Sequence, residues 1–382
     1  MSRMKPIPVF QPTLGIDTVK AVTDALDVGW LGMGATTKEF EERIAEFLEA
    51  TDRHVVATNT GTAALHIALL AAGVRPGDEV ITPAHNFVAD HQAIIACGAE
   101  PVLCDVCDDD LGMDPVKTAE LISPRTRAIV PLHFAGIPCR IDELRRLAAE
   151  RSIRVVEDAT HAFGTRIGGR RVGSSGDIAC FSFDPVKVVT SIDGGAVVTP
   201  HAADVQVLQQ YRLLGIDKDT TERYKNSRAW DYDVVSPGFR YHLTNILASI
   251  GLSQLARAEE FIANRQRHCR LYSQLLSEVA ELRTPASDFH DVSPFIYFIR
   301  VPPASRSRLI DHLRASGVAT GIHFVPANRF QLLAGCRRGD LAVTDRIAGE
   351  LLTLPLHSAM ATETIERIAE SIRRFFLPAG RG

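Results

Sequence analysis

Residues 60–83, TGTAALHIALLAAGVRPGDEVITP, predict a helix followed by a short buried strand. Within 62–73 the apolar residues recur at helical spacing, and Gly73 is a typical helix stop. Residues 78–83 are predicted to form the strand. The alternation continues through predicted strands at 100–106, 127–133, 154–159 and 195–199 and predicted helices at 87–98 and 141–152.

This alternation predicts an α/β fold with a mostly parallel sheet between helices, because apolar strands separated by helices are covered on both faces. Ligands of such sheets bind beyond the carboxyl ends of the strands. After about residue 250 the pattern changes to a long amphipathic helix at 252–279, a strand at 295–301 and helices at 305–317 and 361–376. We therefore expect a large cofactor-binding domain over residues 1–250 and a smaller C-terminal α+β domain over residues 251–382, joined by the long helix.

The composition is that of an ordinary globular protein, with 382 residues, 46% hydrophobic and 23% charged. A net charge of −4 gives no indication of nucleic acid or an anionic membrane as a partner. The N-terminal MSRMKPIPVFQP lacks an apolar signal segment, and no run approaches the ~18 apolar residues of a membrane span. Seven scattered cysteines, including the lone C-x-x-C pair Cys104 and Cys107, are typical of reduced core thiols. These features predict a cytoplasmic protein without a metal site.

Lys187 lies in CFSFDPVKVVTSIDGG (180–195), a mostly apolar stretch that begins with a predicted strand. An unpaired buried ammonium is costly or has a lowered pKa, so this lysine needs a partner. Asp158 ends another predicted strand in RVVEDATHAFG (154–164), and parallel strands would bring both side chains to one edge of the sheet. The pair is either a structural ion pair or part of a cofactor site.

Pyridoxal phosphate would explain the pair, since it requires a lysine amine, an acid at its pyridine nitrogen and an anion site for its phosphate. Thr60, Gly61 and Thr62 precede a predicted helix, whose N-terminal amides and dipole favour an anion. Ser182 adds a hydroxyl, and Phe87 follows a strand at a position suited to stack on an aromatic ring. Each feature alone is common, but together in this order they favour a pyridoxal-phosphate site.

The stretch EDATHAFG…VGSSGDIACFSFDPVKVVTSIDGGAVVT, within residues 157–199, resembles the signature of the DegT–DnrJ–StrS sugar aminotransferases. These are fold-type I pyridoxal-phosphate enzymes, so the resemblance implies a fold-type I aminotransferase-like architecture. The likeness extends over nearly the whole chain and includes residues 29–41, 60–83, 131–136, 238–255, 321–324 and 354–357.

The resemblance implies a role for each matching residue near the cofactor ring. Lys187 would form the Schiff base with pyridoxal phosphate and later carry the proton of the reaction. Asp158 would pair with the pyridine nitrogen, and His161 would lie near the ring hydroxyl. Phe87 would stack on the ring. The phosphate ligands that the resemblance implies within one chain are Thr60, Gly61, Thr62 and Ser182.

The family is dimeric, and the resemblance implies a homodimer with shared active sites in which an element of the partner subunit reaches the phosphate. That element is Gly238-Phe239-Arg240-Tyr241-His242 in this sequence. The resemblance implies that Arg240 binds the phosphate, a role that suits arginine because its guanidinium is permanently charged and can form two hydrogen bonds at once. His242 departs from the residues usual in the family.

Other matches and departures concern the substrate. Trp30, His323 and Phe324 match segments that line the sugar pocket in the family. Asp184 stands where histidine is common, and Ile192-Asp193 replaces the usual Gly-Glu. These departures are expected to shift the preference for substrate or amino donor.

The implied reaction is a ping-pong transamination. An amino acid, expected to be glutamate, gives its amine to the cofactor, and the pyridoxamine form then aminates a keto-sugar. The expected acceptor is a nucleotide-linked 3- or 4-keto-6-deoxyhexose, as used for lipopolysaccharide, O-antigen or glycosylated metabolites.

Three other functions occur within this fold. A keto-inositol aminotransferase, often with glutamine as donor, remains open. A sugar dehydratase of the same family would carry histidine in place of the Schiff-base lysine, so Lys187 argues against it. A non-catalytic regulator would be expected to have lost Lys187, Asp158 or the phosphate site, and all are present.

Overall fold

The computed structural model describes residues 6–217 and 231–376 and confirms an α/β fold. The helices are α1 (Ile16–Val28), α2 (Ala35–Phe47), α3 (Gly61–Ala71), α4 (Val88–Ala96), α5 (Pro115–Leu121), α6 (Ile141–Ala149), α7 (Ala202–Arg212), α8 (Asn245–Leu255), α9 (Ala258–Leu276), α10 (Pro303–Ala315), α11 (Ala342–Glu350) and α12 (Thr362–Phe376). The strands are β1 (His54–Thr58), β2 (Glu79–Pro83), β3 (Glu100–Cys104), β4 (Thr126–Ile129), β5 (Arg154–Asp158), β6 (Arg166–Ile167), β7 (Arg170–Arg171), β8 (Ile178–Ser182), β9 (Gly195–Thr199), β10 (Tyr297–Arg300) and β11 (Leu351–Leu354).

Seven strands form the central sheet in the order β1-β9-β8-β5-β4-β2-β3. All pairs are parallel except those made by β9, which runs antiparallel to both β1 and β8. The reversal has a local cause, because only residues 183–194 separate β8 from β9 and they contain no crossover helix. The prediction of a mostly parallel sheet is therefore confirmed, and the loop that reverses the chain is the one that carries Lys187.

Both faces of this sheet are covered, as the apolar strands predict. Along β8, Ile178 and Cys180 pack in one apolar cluster with α3 and α4, while Ala179 and Phe181 pack in another with α2. All of these side chains are at most 1% exposed. The alternation of sides along a strand thus buries every residue of β8.

The long helix predicted over 252–279 is wrong, since the chain forms two helices there. α8 ends at Leu255, and Arg257 leaves the helical conformation with φ −111° and ψ 8°. α9 then begins at Ala258, with Glu259 and Glu260 in its first turn, where acidic side chains are stabilising. Arg257 Nε donates a hydrogen bond to Glu260 at 3.0 Å. α8 packs on α1 and α2, whereas α9 packs on α12. The break between α8 and α9 therefore lets the two helices pack against different parts of the molecule.

The C-terminal elements surround the two-stranded sheet of β10 and β11. Their apolar cluster also includes Val106, Leu132 and Phe134 from the earlier part of the chain. The division into domains near residue 250 remains a prediction. No helix within the described ranges is both long enough and apolar enough to cross a membrane.

Candidate active site

A cavity of about 430 Å³ opens at the edge of the central sheet where β1, β2, β5 and β8 end. This is the edge at which ligands of parallel sheets are expected. The predicted residues that line the cavity are Thr60, Gly61, Thr62, Phe87, Asp158, His161, Ser182, Lys187, His323 and Phe324. The geometry thus brings together side chains that lie up to 264 positions apart in the chain. Arg240 and Trp30 are not among the lining residues.

Lys187 presents its amine to this cavity from the loop between β8 and β9. Its Nζ lies 4.0 Å from the centroid of the Phe295 ring. The residue as a whole is partly buried, but its ammonium is enclosed by protein, and this burial lowers the pKa of Lys187 to about 8 against the attraction of the Asp158 and Asp184 carboxylates. Within the described ranges Lys187 forms no salt bridge, which argues against the structural ion pair with Asp158. An amine in this state is suited to act as a nucleophile or proton carrier.

Asp158 ends β5 and is 3% exposed. Its Oδ1 accepts a hydrogen bond from the Thr160 backbone N–H at 3.0 Å, and its Oδ2 accepts one from Asn86 Nδ2 at 3.4 Å. Both carboxylate oxygens are therefore held in place by neighbours. A buried carboxylate in a fixed orientation is suited to pair with a protonated ring nitrogen.

The N-terminus of α3 has the geometry of an anion site. Thr60 is the N-cap, and its Oγ1 accepts a hydrogen bond from the Ala63 N–H at 2.9 Å, which leaves the first amides of the helix directed outward. Gly61 lies directly against Ser182, since a Cβ added at Gly61 would be 2.8 Å from Ser182 Cβ. Only glycine fits at this contact, and the result is an open group of amides and hydroxyls at a helix N-terminus, the arrangement that binds phosphate.

Aromatic rings form a wall of the cavity. His161 stacks on Phe295, with centroids 4.2 Å apart, and lies 5.9 Å from Phe324. Burial, together with the charge of Lys187, lowers the pKa of His161, so its imidazole is neutral, and its buried Nδ1 has no hydrogen-bond partner among the described residues. Phe87 is 53% exposed, with its ring 5.6 Å from that of Phe324. A flat ring with a polar substituent would satisfy both the exposed phenylalanine and the unpaired imidazole nitrogen.

These groups fit pyridoxal phosphate. An enclosed amine, an oriented carboxylate, an anion site and an aromatic wall converge on one cavity, and each corresponds to one part of that cofactor. Lys187, Asp158 and the Thr60–Thr62 turn are the residues that would hold it.

Several lining residues escaped sequence reasoning. Asp90 and Thr160 line the cavity, as do Phe10 and Phe295. Asp90 is an acidic residue near the start of the predicted helix 87–98, a common position for aspartate, so the sequence carries no signal for a role in the site. Phe295 had no local signal, because it enters the cavity from a segment more than 100 residues beyond Lys187.

The remaining predicted residues lie elsewhere in a single chain. Arg240 is exposed, and its backbone pairs with Leu213. Trp30 is 43% exposed, and its Nε1 donates to the Met33 carbonyl at 3.0 Å. His242 pairs with Thr58 through the backbone, and burial lowers its pKa. The proposed contacts of these residues with ligand therefore stay predictions.

Asp184 and Asp193, two of the departures from the family pattern, also line the cavity. Asp184 Oδ1 accepts from the Val186 N–H, and Asp193 Oδ1 accepts from the Gly194 N–H, both at 3.0 Å. Ile192, beside Asp193, has a left-handed φ of 70° and is 40% exposed. Positive φ is unfavourable for a β-branched residue, so this loop holds a strained conformation at the rim of the site.

Comparison with known proteins gives the family. The model of the DegT/DnrJ/EryC1/StrS aminotransferase family matches residues 12–373. The chain is 32% identical to the spore coat polysaccharide biosynthesis protein SpsC of Bacillus subtilis, over 96% of each chain.

Solved structures agree with this match. The aminotransferase TlmJ from Streptoalloteichus hindustanus is 34% identical and superposes with a TM-score of 0.88, covering 97% of this chain and 98% of the other. The sugar aminotransferase CalS13 from Micromonospora echinospora is 30% identical, with a TM-score of 0.87 and coverages of 96% and 99%. Similar structures include pyridoxal-phosphate and pyridoxamine-phosphate forms. The chain therefore belongs to the DegT/DnrJ/EryC1/StrS aminotransferase family, and it is a fold-type I aminotransferase that uses pyridoxal phosphate.

Proposed function

We propose that this protein transfers an amino group from glutamate to a keto-sugar, specifically a nucleotide-linked 3- or 4-keto-6-deoxyhexose. The observation that carries the proposal is the convergence of Lys187, Asp158 and the anion site at Gly61 on one cavity. The sugar assignment is supported by relatives named for polysaccharide biosynthesis and sugar amination.

Pyridoxal phosphate, when bound, supplies a conjugated electron sink for the charge that develops as a proton leaves the carbon bearing the amine. Lys187 holds and moves that proton at Nζ, because burial has lowered the pKa of its amine to about 8, near the operating pH of a general base. The fixed carboxylate of Asp158 would stabilise the positive charge of a protonated ring nitrogen. Gly61 and its neighbouring amides bind the phosphate and so fix the position of the ring relative to Lys187.

The polar groups of the cavity suit a sugar. Asp184, Asp193 and Thr160 offer oxygen acceptors or a hydroxyl to this cavity, which is also lined by the rings of Phe10, Phe295 and other aromatic residues. Sugars present hydroxyl donors on their edges and apolar C–H groups on their faces, so a site with both kinds of surface matches them.

We further propose a homodimer in which Arg240 of one chain completes the site of the other. Among the described residues that line the cavity, Lys187 is the one lysine or arginine, whereas Asp158, Asp184 and Asp193 contribute carboxylates. A phosphate and the carboxylates of glutamate require more positive charge than this chain supplies. Arg240 is exposed outside the cavity of its own chain, which leaves it available to a second copy.

The test separates the half-reactions. The protein is loaded with pyridoxal phosphate, converted to the pyridoxamine form with glutamate, freed of donor, and offered nucleotide-linked 3-keto and 4-keto-6-deoxyhexoses alongside free keto-inositols. Recovery of the visible absorbance of the pyridoxal form with a nucleotide-linked keto-sugar is expected, and Lys187→Ala should recover none. Recovery with keto-inositols alone would replace the sugar assignment with the carbocycle one, and conversion by glutamine but not glutamate would overturn the assigned donor.

A further inference from the structure

Asp90 is a buried carboxyl group that the proposed mechanism leaves without a role. It lies in the first turn of α4, lines the cavity and is 1% exposed. Its Oδ2 accepts hydrogen bonds from Asn86 Nδ2 at 2.6 Å and Thr82 Oγ1 at 3.4 Å. Its Oδ1 is fully buried and has no hydrogen-bond donor among the described residues. An ionised carboxylate would leave that oxygen with neither water nor a partner, which is costly.

Asp90 and Asp158 share one amide. Asn86 Nδ2 donates to Asp90 at 2.6 Å and to Asp158 at 3.4 Å. The orientation of this amide is set from its other side, because the Phe87 N–H donates to Asn86 Oδ1 at 2.6 Å. The two carboxyl groups therefore meet at a single donor, within hydrogen-bonding reach of each other.

Two ionised carboxylates in such a buried site repel each other, and one proton removes the repulsion. Asp158 has a donor on each oxygen and the favourable charge of Lys187, so it is the group stabilised as an anion. Asp90 has an oxygen without a donor, so it is the group left to carry the proton.

We propose that Asp90 is a positioning residue for Asp158: it stays protonated and donates a hydrogen bond to the Asp158 carboxylate, which holds that carboxylate in place for the ring nitrogen of pyridoxal phosphate. This inference rests on the role of Asp158 given under the proposed function. Burial and the neighbouring Asp158 raise the pKa of Asp90, which agrees with the assignment. Among the described residues, Lys187 also acts on Asp158, and its charge favours the ionised form of that carboxyl. Cys180 faces both carboxyl groups, but burial raises the pKa of its thiol, so it is neutral and adds no charge.

The first test concerns the proton and needs neither cofactor nor activity. The infrared difference spectrum between wild-type apoenzyme and Asp90→Asn, recorded at neutral pH, is expected to show the carbonyl stretch of a protonated carboxylic acid in the wild type and not in the variant. A difference spectrum that shows only the loss of an ionised carboxylate would overturn the proposal.

The second test concerns positioning. Asp90→Asn retains a neutral group of the same shape with an N–H donor, so its affinity for pyridoxal phosphate is expected to stay within about threefold of wild type. Asp90→Ala removes the donor to a charged acceptor, and its affinity is expected to fall about 10- to 100-fold. Asp110→Asn removes a partly buried carboxyl outside the cavity and serves as the matched control, with unchanged affinity expected.

Two binding results would contradict the positioning role. An equal loss of affinity for pyridoxal phosphate in Asp90→Asn and Asp90→Ala would mean that binding depends on a negative charge at Asp90 rather than on its proton. Wild-type affinity in Asp90→Ala would mean that Asp90 does not position Asp158. Asp158→Asn distinguishes failure of the proposed function. Suppose that this variant binds pyridoxal phosphate as tightly as the wild type. The role proposed for Asp158 is then wrong, and so is the positioning role of Asp90. The carbonyl band of Asp90 would still show separately that Asp90 is protonated.

Discussion

Lys187 is the residue on which the proposed chemistry depends, and its burial has a consequence for stability. Its pKa is lowered from 10.5 in the free side chain to about 8 in the folded chain. Between these values the unfolded chain holds a proton that the folded chain lacks, so the stability of the apoenzyme should rise as pH increases through this window. Below pH 8 both states are protonated and the full cost of burying the ammonium is present.

Lys187→Met therefore should stabilise the apoenzyme at neutral pH by up to about 3 kcal/mol, and the gain should shrink as the pH rises from about 8 to 10.5. Urea denaturation of both apoproteins across this range measures the difference. The exposed Lys20→Met is the control and should show no such dependence. A difference that is absent, or that grows with pH, would contradict the burial of Lys187 as an ammonium.

The close contact between Gly61 and Ser182 leaves no room for a side chain at residue 61. In Gly61→Ala the new Cβ would lie 2.8 Å from Ser182 Cβ and 3.0 Å from Ser182 Oγ. We expect the apoprotein to lose about 1–3 kcal/mol of stability, and the affinity for pyridoxal phosphate to fall as the anion site is filled. Denaturation and cofactor titration measure the two effects separately.

The double variant Gly61→Ala/Ser182→Gly is the matched control. It removes the atoms that the new Cβ would meet, so stability should return, while affinity should stay low because the Ser182 hydroxyl is lost. Wild-type stability in Gly61→Ala alone would disprove the close contact.

Sequence reasoning found the residues of the site whose chemistry is unusual for their local setting. A lysine in an apolar stretch and a carboxylate at a strand end are visible in one sequence, and the cavity contains both. Phe295 meets Lys187, and Asp90 shares the Asn86 amide with Asp158, only in the folded chain, so no local pattern distinguishes them from an ordinary buried phenylalanine and a helix-start aspartate. A charged residue in an apolar stretch is detectable from the sequence, whereas contacts between residues that meet only in the folded chain are not.

At the scale of elements, the loop between β8 and β9 both reverses the chain and presents Lys187. Helix and strand periodicity predicted the flanking strands, but periodicity does not report strand direction. The connection accounts for the direction, because parallel crossovers usually contain a helix and the 12 residues of this loop contain none. The break between α8 and α9 was missed for a related reason, since Ala256 and Arg257 are good helix formers and only the tertiary partners of the two helices differ.

Substitutions of Ile192, in the same loop, test whether the loop is strained. Its φ of 70° disfavours a β-branched residue, and its side chain is 40% exposed, so little burial is lost on truncation. Ile192→Gly is expected to raise the free energy of unfolding by up to about 1 kcal/mol, as relief of strain outweighs the greater entropy of glycine. Ile192→Val keeps the strain and should give no gain. A loss of stability in the glycine variant would contradict the strained conformation.

At the scale of the whole molecule, α1 presents an apolar stripe that the rest of the described chain leaves uncovered. Ile16, Val19 and Leu26 are 78%, 60% and 52% exposed and share one side of the helix. An exposed apolar stripe of this kind is typical of a protein interface. Together with the missing positive charge of the cavity, it supports the proposed homodimer.

Val19→Lys is expected to convert the dimer to monomer and to weaken pyridoxal phosphate binding at least about tenfold, since each site would lose Arg240 of the second chain. Sedimentation velocity and cofactor titration measure the two changes. Asp24→Lys places the same charge on another side of α1 and should leave both unchanged. A monomeric wild type, or a monomeric Val19→Lys that binds cofactor normally, would contradict the shared site.

The central claim is that Lys187 is the residue that holds pyridoxal phosphate, and one measurement tests it most directly. The loaded protein is reduced with borohydride, digested and examined by mass spectrometry for the peptide that carries the reduced cofactor. We expect the added mass on Lys187 and none on Lys187→Ala. Added mass on a different lysine, or equal labelling of Lys187→Ala, would show that Lys187 is not the residue that holds the cofactor.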